Sequence, residues 1–367
     1  MKRREFTKIV GLGLLAIPSF PTFASSKMLK TDQPSGSGIP LGLCNHSLRG
    51  MKLNANQLIE YAIEQKLDSI LLNTFQPFES LESSHLLGLR KMANANGISI
   101  YTGAGSICER SVAFTNKYGS AESLLIEGIR IASATGSPVV GCRIGALEDR
   151  YMDGGIGAHI EAVIKVMKSC RTRALDAGIK FAFENHAGDL RSQELLGLIN
   201  ETGTDICGAL FDPANALWAM EDPMQSLNVL GKTIICTSVR DVAIWETDEG
   251  ATFQGMAIGK GILDYPLYSK ILNELCPGVP LHVETISNSA RPIPYLKTEF
   301  WKGFPHLSTV EIVDFLRLAK AGKQIEIIKP PDGIDPKQFD IELQQSEFIS
   351  SIEYLRKYCH AGLKSNS

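Results

Sequence analysis

IKFAFEN, residues 179–185, is a short apolar run that stops at a carboxylate, Glu184. The chain uses the same device twice more: ICGALFD (206–212) stops at Asp212, and VPLHVET (279–285) stops at Glu284. Continuous Val/Ile/Leu/Phe runs mark parallel strands buried on both faces, and an acid at the end of such a run emerges where barrel strands open into their loops. Three strand-end acids predict one shared site.

Working outward, short apolar runs alternate with longer segments of helical period. The strand candidates are LGLCNH (41–46), SILLNT (69–74), SIYTGA (99–104), VVGCRI (139–144), KFAFEN (180–185), CGALFD (207–212), IICTSV (234–239) and LHVETI (281–286). Between them, NQLIEYAIEQ, SLLIEGIRIASAT and IEAVIKVMKSCRTRALDAG repeat apolar residues at three- and four-residue spacing, as one buried helix face requires. Gly97, Gly136 and Gly178 stand just before the next strand candidates and suit left-handed helix ends. Eight strand–helix repeats predict a (β/α)8 TIM barrel of α/β class. A doubly wound open sheet would carry a Gly-rich phosphate loop after its first strand, and LGLCNHSLRGMKL has none.

The flanks read differently. Residues 1–26 place Arg3-Arg4 ahead of an apolar stretch from Ile9 to Ile17 and then Thr22-Phe23-Ala24, the order of a twin-arginine export signal cleaved near Ala24. The apolar core is shorter than the ~20 residues of a spanning helix, so the mature protein is expected in the periplasm with no integral membrane segment. Residues 27–39 read as a polar linker, 40–290 as the barrel and 291–367 as a C-terminal helical extension packing on it. The connection WETDEGATFQGMAIGKGILDY (245–265) is expected to be a loop at the carboxyl end of the barrel. The aromatic stretch YLKTEFWKGF (295–304) is expected to form a lid or a subunit contact, which leaves a homo-oligomer open.

Of the 367 residues, 44% are hydrophobic and 21% charged, with a net charge of −3. No basic run provides the electrostatic footprint that a nucleic-acid partner requires. The eight cysteines include no CxxC, and Cys44, Cys142, Cys207 and Cys236 sit inside strand-like runs, where cysteine behaves as a small buried hydrophobe. A zinc–thiolate centre is not indicated; one late disulfide through Cys276 or Cys359 is left open.

Residues two apart on a strand share a face. Glu184 therefore goes with His186, Glu284 with His282, and Ser238 with Arg240, while Asn215 follows Asp212 by three and His46 ends the first strand. His85, His159 and His360 fall in helical segments and read as surface residues. Three crowded carboxylates repel unless a cation, a proton or an arginine compensates. Oxygen ligands with an imidazole suit Mn2+ or Mg2+, with Glu184, Asp212, Glu284 and His282 as the ligand candidates. Such a site would polarise a sugar carbonyl while a flanking Glu moves a proton. The alternative is that an acid merely pairs with Arg143 or Arg240.

FENHAGDL (183–190), FDPANALW (211–218), SVRDVAIW (238–245) followed by IGKGILDY (258–265), and HVET (282–285) resemble, in this order, the sugar phosphate isomerase/epimerase superfamily of xylose isomerase-like TIM barrels. The resemblance covers residues 40 to 290. It implies a divalent metal on Glu184, Asp212 and Glu284, catalytic roles for Glu184 and Glu284, and a small carbohydrate as substrate; His46, His186, Asn215, Arg240 and Lys260 are the candidates to hold it. Two positions depart from the family pattern. The usual His-x-Lys-Asp is Ser238-Val239-Arg240-Asp241, and the usual Gly-Glu-Gly is Gly259-Lys260-Gly261. A hydroxyl replacing an imidazole ligand lowers the expected metal affinity, and Arg240 or Lys260 could supply the positive charge instead. The functions left open are a carbohydrate isomerase or epimerase, a metal-free keto-glycoside lyase, and a non-catalytic carbohydrate-binding protein. An apurinic endonuclease shares the barrel, but its multi-metal site needs more histidines than these strand ends offer.

Overall fold

Apolar runs and helical segments alternate in space as they do in sequence. The computed structural model describes residues 38–286 and 288–364, so the export signal read at 1–26 and nearly all of the linker lie outside the described residues. Seven strands follow one another: β1 (Leu41–Cys44), β2 (Ser69–Leu72), β3 (Ser99–Ser106), β4 (Val139–Arg143), β5 (Lys180–Glu184), β6 (Cys207–Phe211) and β7 (Ile234–Thr237). A hairpin of β8 (Asp241–Thr247) and β9 (Gly250–Met256) comes next, then β10 (Leu281–Val283) and β11 (Ala290–Ile293). β10 pairs with β1, and the sheet runs in parallel from there to β7 in chain order. Val239 closes the ring: its N–H donates to His282 O at 2.7 Å, and Glu284 N–H donates to Val239 O at 2.8 Å. The result is the (β/α)8 barrel.

Two apolar cores follow from the strand period. Cys44, Leu71, Val139, Ala182, Leu210 and Cys236 fill the barrel interior with Tyr101 beside them. Their neighbours Leu43, Ile70, Val140, Phe181, Phe183 and Phe211 face outward and meet the buried stripes of the helices. Local signals set the helix ends. Asn54 and Gln57 form a reciprocal capping box at the start of Ala55–Glu64, and Gly136 and Gly178 end their helices at φ values of +79° and +66°.

Three expectations need correction. The 245–265 connection is not a loop. It supplies part of an antiparallel sheet in the order β11-β9-β8, with Ala290 opposite Gln254 and Ile293 opposite Ala251. The aromatic stretch does not line the mouth cavity as a lid would: Phe300 and Phe304 are buried, Tyr151 Oη donates to Phe300 O at 2.9 Å, and Arg150 stacks on Phe304 at 4.3 Å, while Leu296 is 65% exposed. His159 is fully buried rather than superficial, with Nδ1 against Gly155 O at 2.9 Å.

The last helix, Pro336–Cys359, completes the ring of helices. Phe348 meets Tyr61 at 5.9 Å between ring centres, Gln344 Oε1 accepts from Gly50 N–H at 2.9 Å, and Ser351 Oγ accepts from Ile258 N–H at 2.9 Å. It therefore touches both the segment after the first strand and the one after the hairpin. Ile352 is 1% exposed in this helix. Ile352→Val is expected to cost about 1 kcal/mol of unfolding free energy, read from denaturant midpoints; no change would mean the helix is not part of the cooperative unit. All eight cysteines are free thiols, Cys276 and Cys359 included.

Candidate active site

The period of two along each strand decides what reaches the barrel mouth. Inward-facing Ala182 is followed by Glu184, Leu210 by Asp212, Cys236 by Ser238 and then Arg240, and Val139 by Gly141 and then Arg143. One oxygen each from Glu184, Asp212 and Glu284 lies within 4.8 Å of the others. All three residues are buried, Asp212 completely.

Each acid is held differently. Asp212 caps the short helix Pro213–Trp218, and its Oδ1 accepts from Ala214 N–H at 2.9 Å and Asn215 N–H at 3.2 Å. Asn185 clamps its backbone from β5, donating to Asp212 O and accepting from Asp212 N–H, both at 2.9 Å. Arg240 Nη2 stands 2.8 Å from Asp212 Oδ2 and donates to Asn215 Oδ1 at 2.5 Å. The Asp212 contact is an ion pair whose N–H is not aimed at the oxygen, so buried Oδ2 accepts no hydrogen bond. Glu284 accepts from Ser238 Oγ at 2.8 Å and meets Cys44 Sγ at 3.6 Å. The Glu184 carboxyl accepts no hydrogen bond from any described residue and faces the cavity.

These surroundings split the two glutamates electrostatically. Burial, and then the neighbouring Glu284 charge, push Glu184 well above the usual carboxylate range. Burial also pushes Glu284 upward, but Arg240, His46 and the Ser238 hydroxyl outweigh it and hold Glu284 below that range. Burial pushes Asp212 up to about 7 against the pull of Arg240. Two adjacent carboxyls, one favouring its proton and one its charge, have the chemistry an acid/base pair requires.

The cluster opens into a cavity of about 910 Å³. His46, His186, Asn215 and Arg240 line it, in the places read from sequence. His46 is pushed down by burial, with Glu284 opposing. His186 Nδ1 contacts the Gly145 carbonyl and therefore carries the ring proton, and burial holds this imidazole neutral. Two sequence candidates fall elsewhere. His282 sits one layer below the carboxylates, with Nε2 3.1 Å from Ser69 Oγ and Nδ1 3.1 Å from Thr237 O. Burial lowers it to about 3, and with both nitrogens engaged it does not join the ligand cluster. Lys260 is exposed on the turn that wraps Asp241, whose Oδ2 accepts from Gly259 and Gly261 N–H at 3.0 Å each.

Three contributors were not assigned to the site from sequence. Asn185 was passed over although it directly follows a strand-end acid. Trp218 and Phe253, 4.7 Å apart edge to face, form an apolar wall; FDPANALW ends in that tryptophan, but its partner comes from the hairpin that read as a loop. Arg143 was read only as a structural partner for an acid and instead lines the cavity.

Comparison with known proteins agrees with this architecture. A family model described as xylose isomerase-like TIM barrel matches residues 62–316. The chain belongs to the xylose isomerase-like TIM barrel family. Among solved structures, a D-psicose 3-epimerase from Clostridium cellulolyticum H10, solved with D-tagatose, superposes with a TM-score of 0.55 at 14% identity, covering 86% of this chain and 99% of that one. The IOLI protein, solved with a zinc atom, superposes with a TM-score of 0.54 at 15% identity over 77% of this chain and 95% of its own. At those identities the likeness is one of fold. An uncharacterised Escherichia coli K12 protein, YihM, is 27% identical over 152 residues, which are 41% of this chain and 44% of YihM. The matched stretch thus spans less than half of that curated relative. None of the helices among the described residues is long and apolar enough to cross a membrane.

Proposed function

We propose that this protein is a carbohydrate isomerase or epimerase that moves a proton next to a sugar carbonyl, with Glu284 and Glu184 as the acid/base pair. The observation that carries the reading is the convergence of three strand-end carboxylates within 4.8 Å, open to a cavity of about 910 Å³. Solved relatives of the same fold include a sugar epimerase. Glu284, held ionised, removes the proton; Glu184, free of hydrogen bonds and favouring its protonated form, faces the cavity to return one. Arg240 fixes Asp212 and Asn215, and the Trp218–Phe253 wall offers an apolar face to a sugar ring. On the export signal read at residues 1–26, the substrate is met in the periplasm, where a free sugar, keto-sugar or glycoside derivative is more available than a sugar phosphate.

The donor set suits a hard divalent cation, Mn2+ or Mg2+. Three carboxylate oxygens converge, and buried Asp212 Oδ2 accepts no hydrogen bond. Glu184, Asp212 and Glu284 would hold it, and the bound cation would polarise the sugar carbonyl and its neighbouring hydroxyl. Ser238 in place of an imidazole, and the Arg240–Asp212 ion pair at 2.8 Å, favour a second reading in which the guanidinium supplies the charge and the site works without metal, as a keto-glycoside lyase or a binding protein.

Elemental analysis of protein purified without chelator, beside the Glu184→Ala/Asp212→Ala variant, separates the two. Close to one metal per chain, lost in the variant, is the expected result, followed by isomerisation in a screen of keto-sugars. No metal even after adding Mn2+ would overturn the cation assignment and move the reading to the metal-free alternative.

A further inference from the structure

Arg143 ends β4 and faces the barrel axis beside Glu184, His186 and Asn215 at the floor of the cavity. Its side chain makes no hydrogen bond and no ion pair within 4.0 Å among the described residues, and its Nε is shielded from solvent without an acceptor. That differs from Arg240 in the same cavity, which is matched by Asp212 and Asn215. A half-buried guanidinium with unused donors is costly unless an acceptor arrives.

The wider charge pattern points the same way. Arg49, Lys52, Arg143, Arg240 and Arg291 line the cavity, against Glu79, Glu184 and Glu284. Arg240 is matched by Asp212, and Glu79 is engaged by Asn56, whose Nδ2 donates to it at 2.9 Å. Arg49 donates only to the carbonyls of His46 and Thr285, at 3.3 and 3.4 Å. The cavity therefore keeps more positive charge than its own acids cancel.

We propose that Arg143 is the anchor for an oxyanion carried by the substrate, so that the carbohydrate taken by this cavity is a sugar acid rather than a neutral sugar. This rests on the isomerase/epimerase reading for the rest of the substrate, but the anchor itself needs only binding. The planar guanidinium fork matches a carboxylate with two parallel N–H···O bonds. A carboxylate held there would place the sugar ring between Arg143 and Glu284, with Glu184 alongside.

The test is binding of D-glucuronate, D-galacturonate and inorganic phosphate, against D-glucose and D-galactose, to full-length wild type, Arg143→Gln and Arg143→Lys, by calorimetry in metal-loaded protein. Uronates are expected to bind wild type and to bind Arg143→Gln roughly 10- to 100-fold more weakly, with Arg143→Lys between the two. The unliganded variants should melt close to wild type, because Arg143 contributes charge near Glu184 and Glu284 but no hydrogen bond or ion pair is lost; a large drop in Tm would mean that Arg143 is structural and would overturn the proposal. Phosphate competing with uronate in wild type but not in Arg143→Gln supports an oxyanion site of general kind. Phosphate failing to compete narrows the site to carboxylates. Neutral hexoses binding as well as uronates, uronates indifferent to Arg143→Gln, or no binding of any anion would overturn it. Uronate binding without turnover would sink the isomerase reading while leaving the anchor, and turnover of a neutral sugar indifferent to Arg143→Gln would do the reverse.

Discussion

Glu284→Gln is expected to lower turnover of the identified substrate by roughly 100- to 10,000-fold, the range over which a positioned acid or base contributes. Glu284 is the carboxylate kept ionised in the cluster, because Arg240, His46 and Ser238 together outweigh its burial. The amide is isosteric but cannot accept a proton, and Ser238 Oγ still has an oxygen to donate to. Glu184→Gln should cost a comparable factor for the opposite reason, since the amide cannot return the proton. The two variants differ in deuterium wash-in from D2O at the carbon next to the carbonyl. With one carboxyl on each side of the sugar plane, each variant should lose exchange from one epimer and keep it from the other. Glu284→Asp, which retains the charge, separates loss of the base from loss of a ligand through its metal content. Wild-type turnover in both Gln variants would remove these residues from the chemistry.

Arg240→Met is expected to destabilise the protein by about 3–5 kcal/mol, the cost of stranding a buried charge by removing its partner. Asp212 has no solvent exposure, and Arg240 Nη2 at 2.8 Å is its cationic neighbour. The double variant Arg240→Met/Asp212→Asn should recover most of that loss, since a neutral pair leaves no charge buried. pH supplies the sign. Asp212 already sits at about 7 in the fold, above its unfolded value, because burial outweighs Arg240. A carboxyl raised on folding destabilises as pH rises from its unfolded pKa toward its folded one. Without Arg240 that window extends upward, so in metal-free protein the deficit should widen above pH 7. Excess Mn2+ should narrow it if Asp212 is a metal ligand. Equal melting of wild type and Arg240→Met at pH 8 would show that the pair contributes nothing.

The barrel was legible because its buried parallel strands are mostly apolar and the carboxylates Glu184, Asp212 and Glu284 stand where such runs end. Alternation also assigned the right face to His282, but the level within the barrel is not written in a strand's period. Gly42 decides it: a Cβ there would lie 2.3 Å from Ser69 Oγ and 2.6 Å from His282 Cδ2, so the missing side chain is the space the imidazole occupies one layer down. Lys260 was misplaced because a Gly-x-Gly string does not tell which carboxylate its N–H groups will wrap, and here it is Asp241. The three-stranded sheet is not legible as a unit because its third strand, β11, lies beyond the eighth barrel strand. Gly250, at φ +145°, records that approach: a Cβ would lie 2.3 Å from Ile293 O.

That third strand has a consequence for how specificity could be altered. In most barrels of this kind each loop at the mouth is an independent insertion, open to exchange without disturbing its neighbours. Here Arg291 pairs in register with Phe253, and Ile293 with Ala251, so the excursions after the seventh and eighth barrel strands form a single hydrogen-bonded plate. The middle strand of that plate carries Phe253 of the apolar wall, and its return strand β11 begins at Ala290, shortly after Glu284. Grafting a new recognition loop at either place alone would leave a sheet edge unpaired beside Glu284. Residues 241–256 and 290–293 would have to travel together as one cassette.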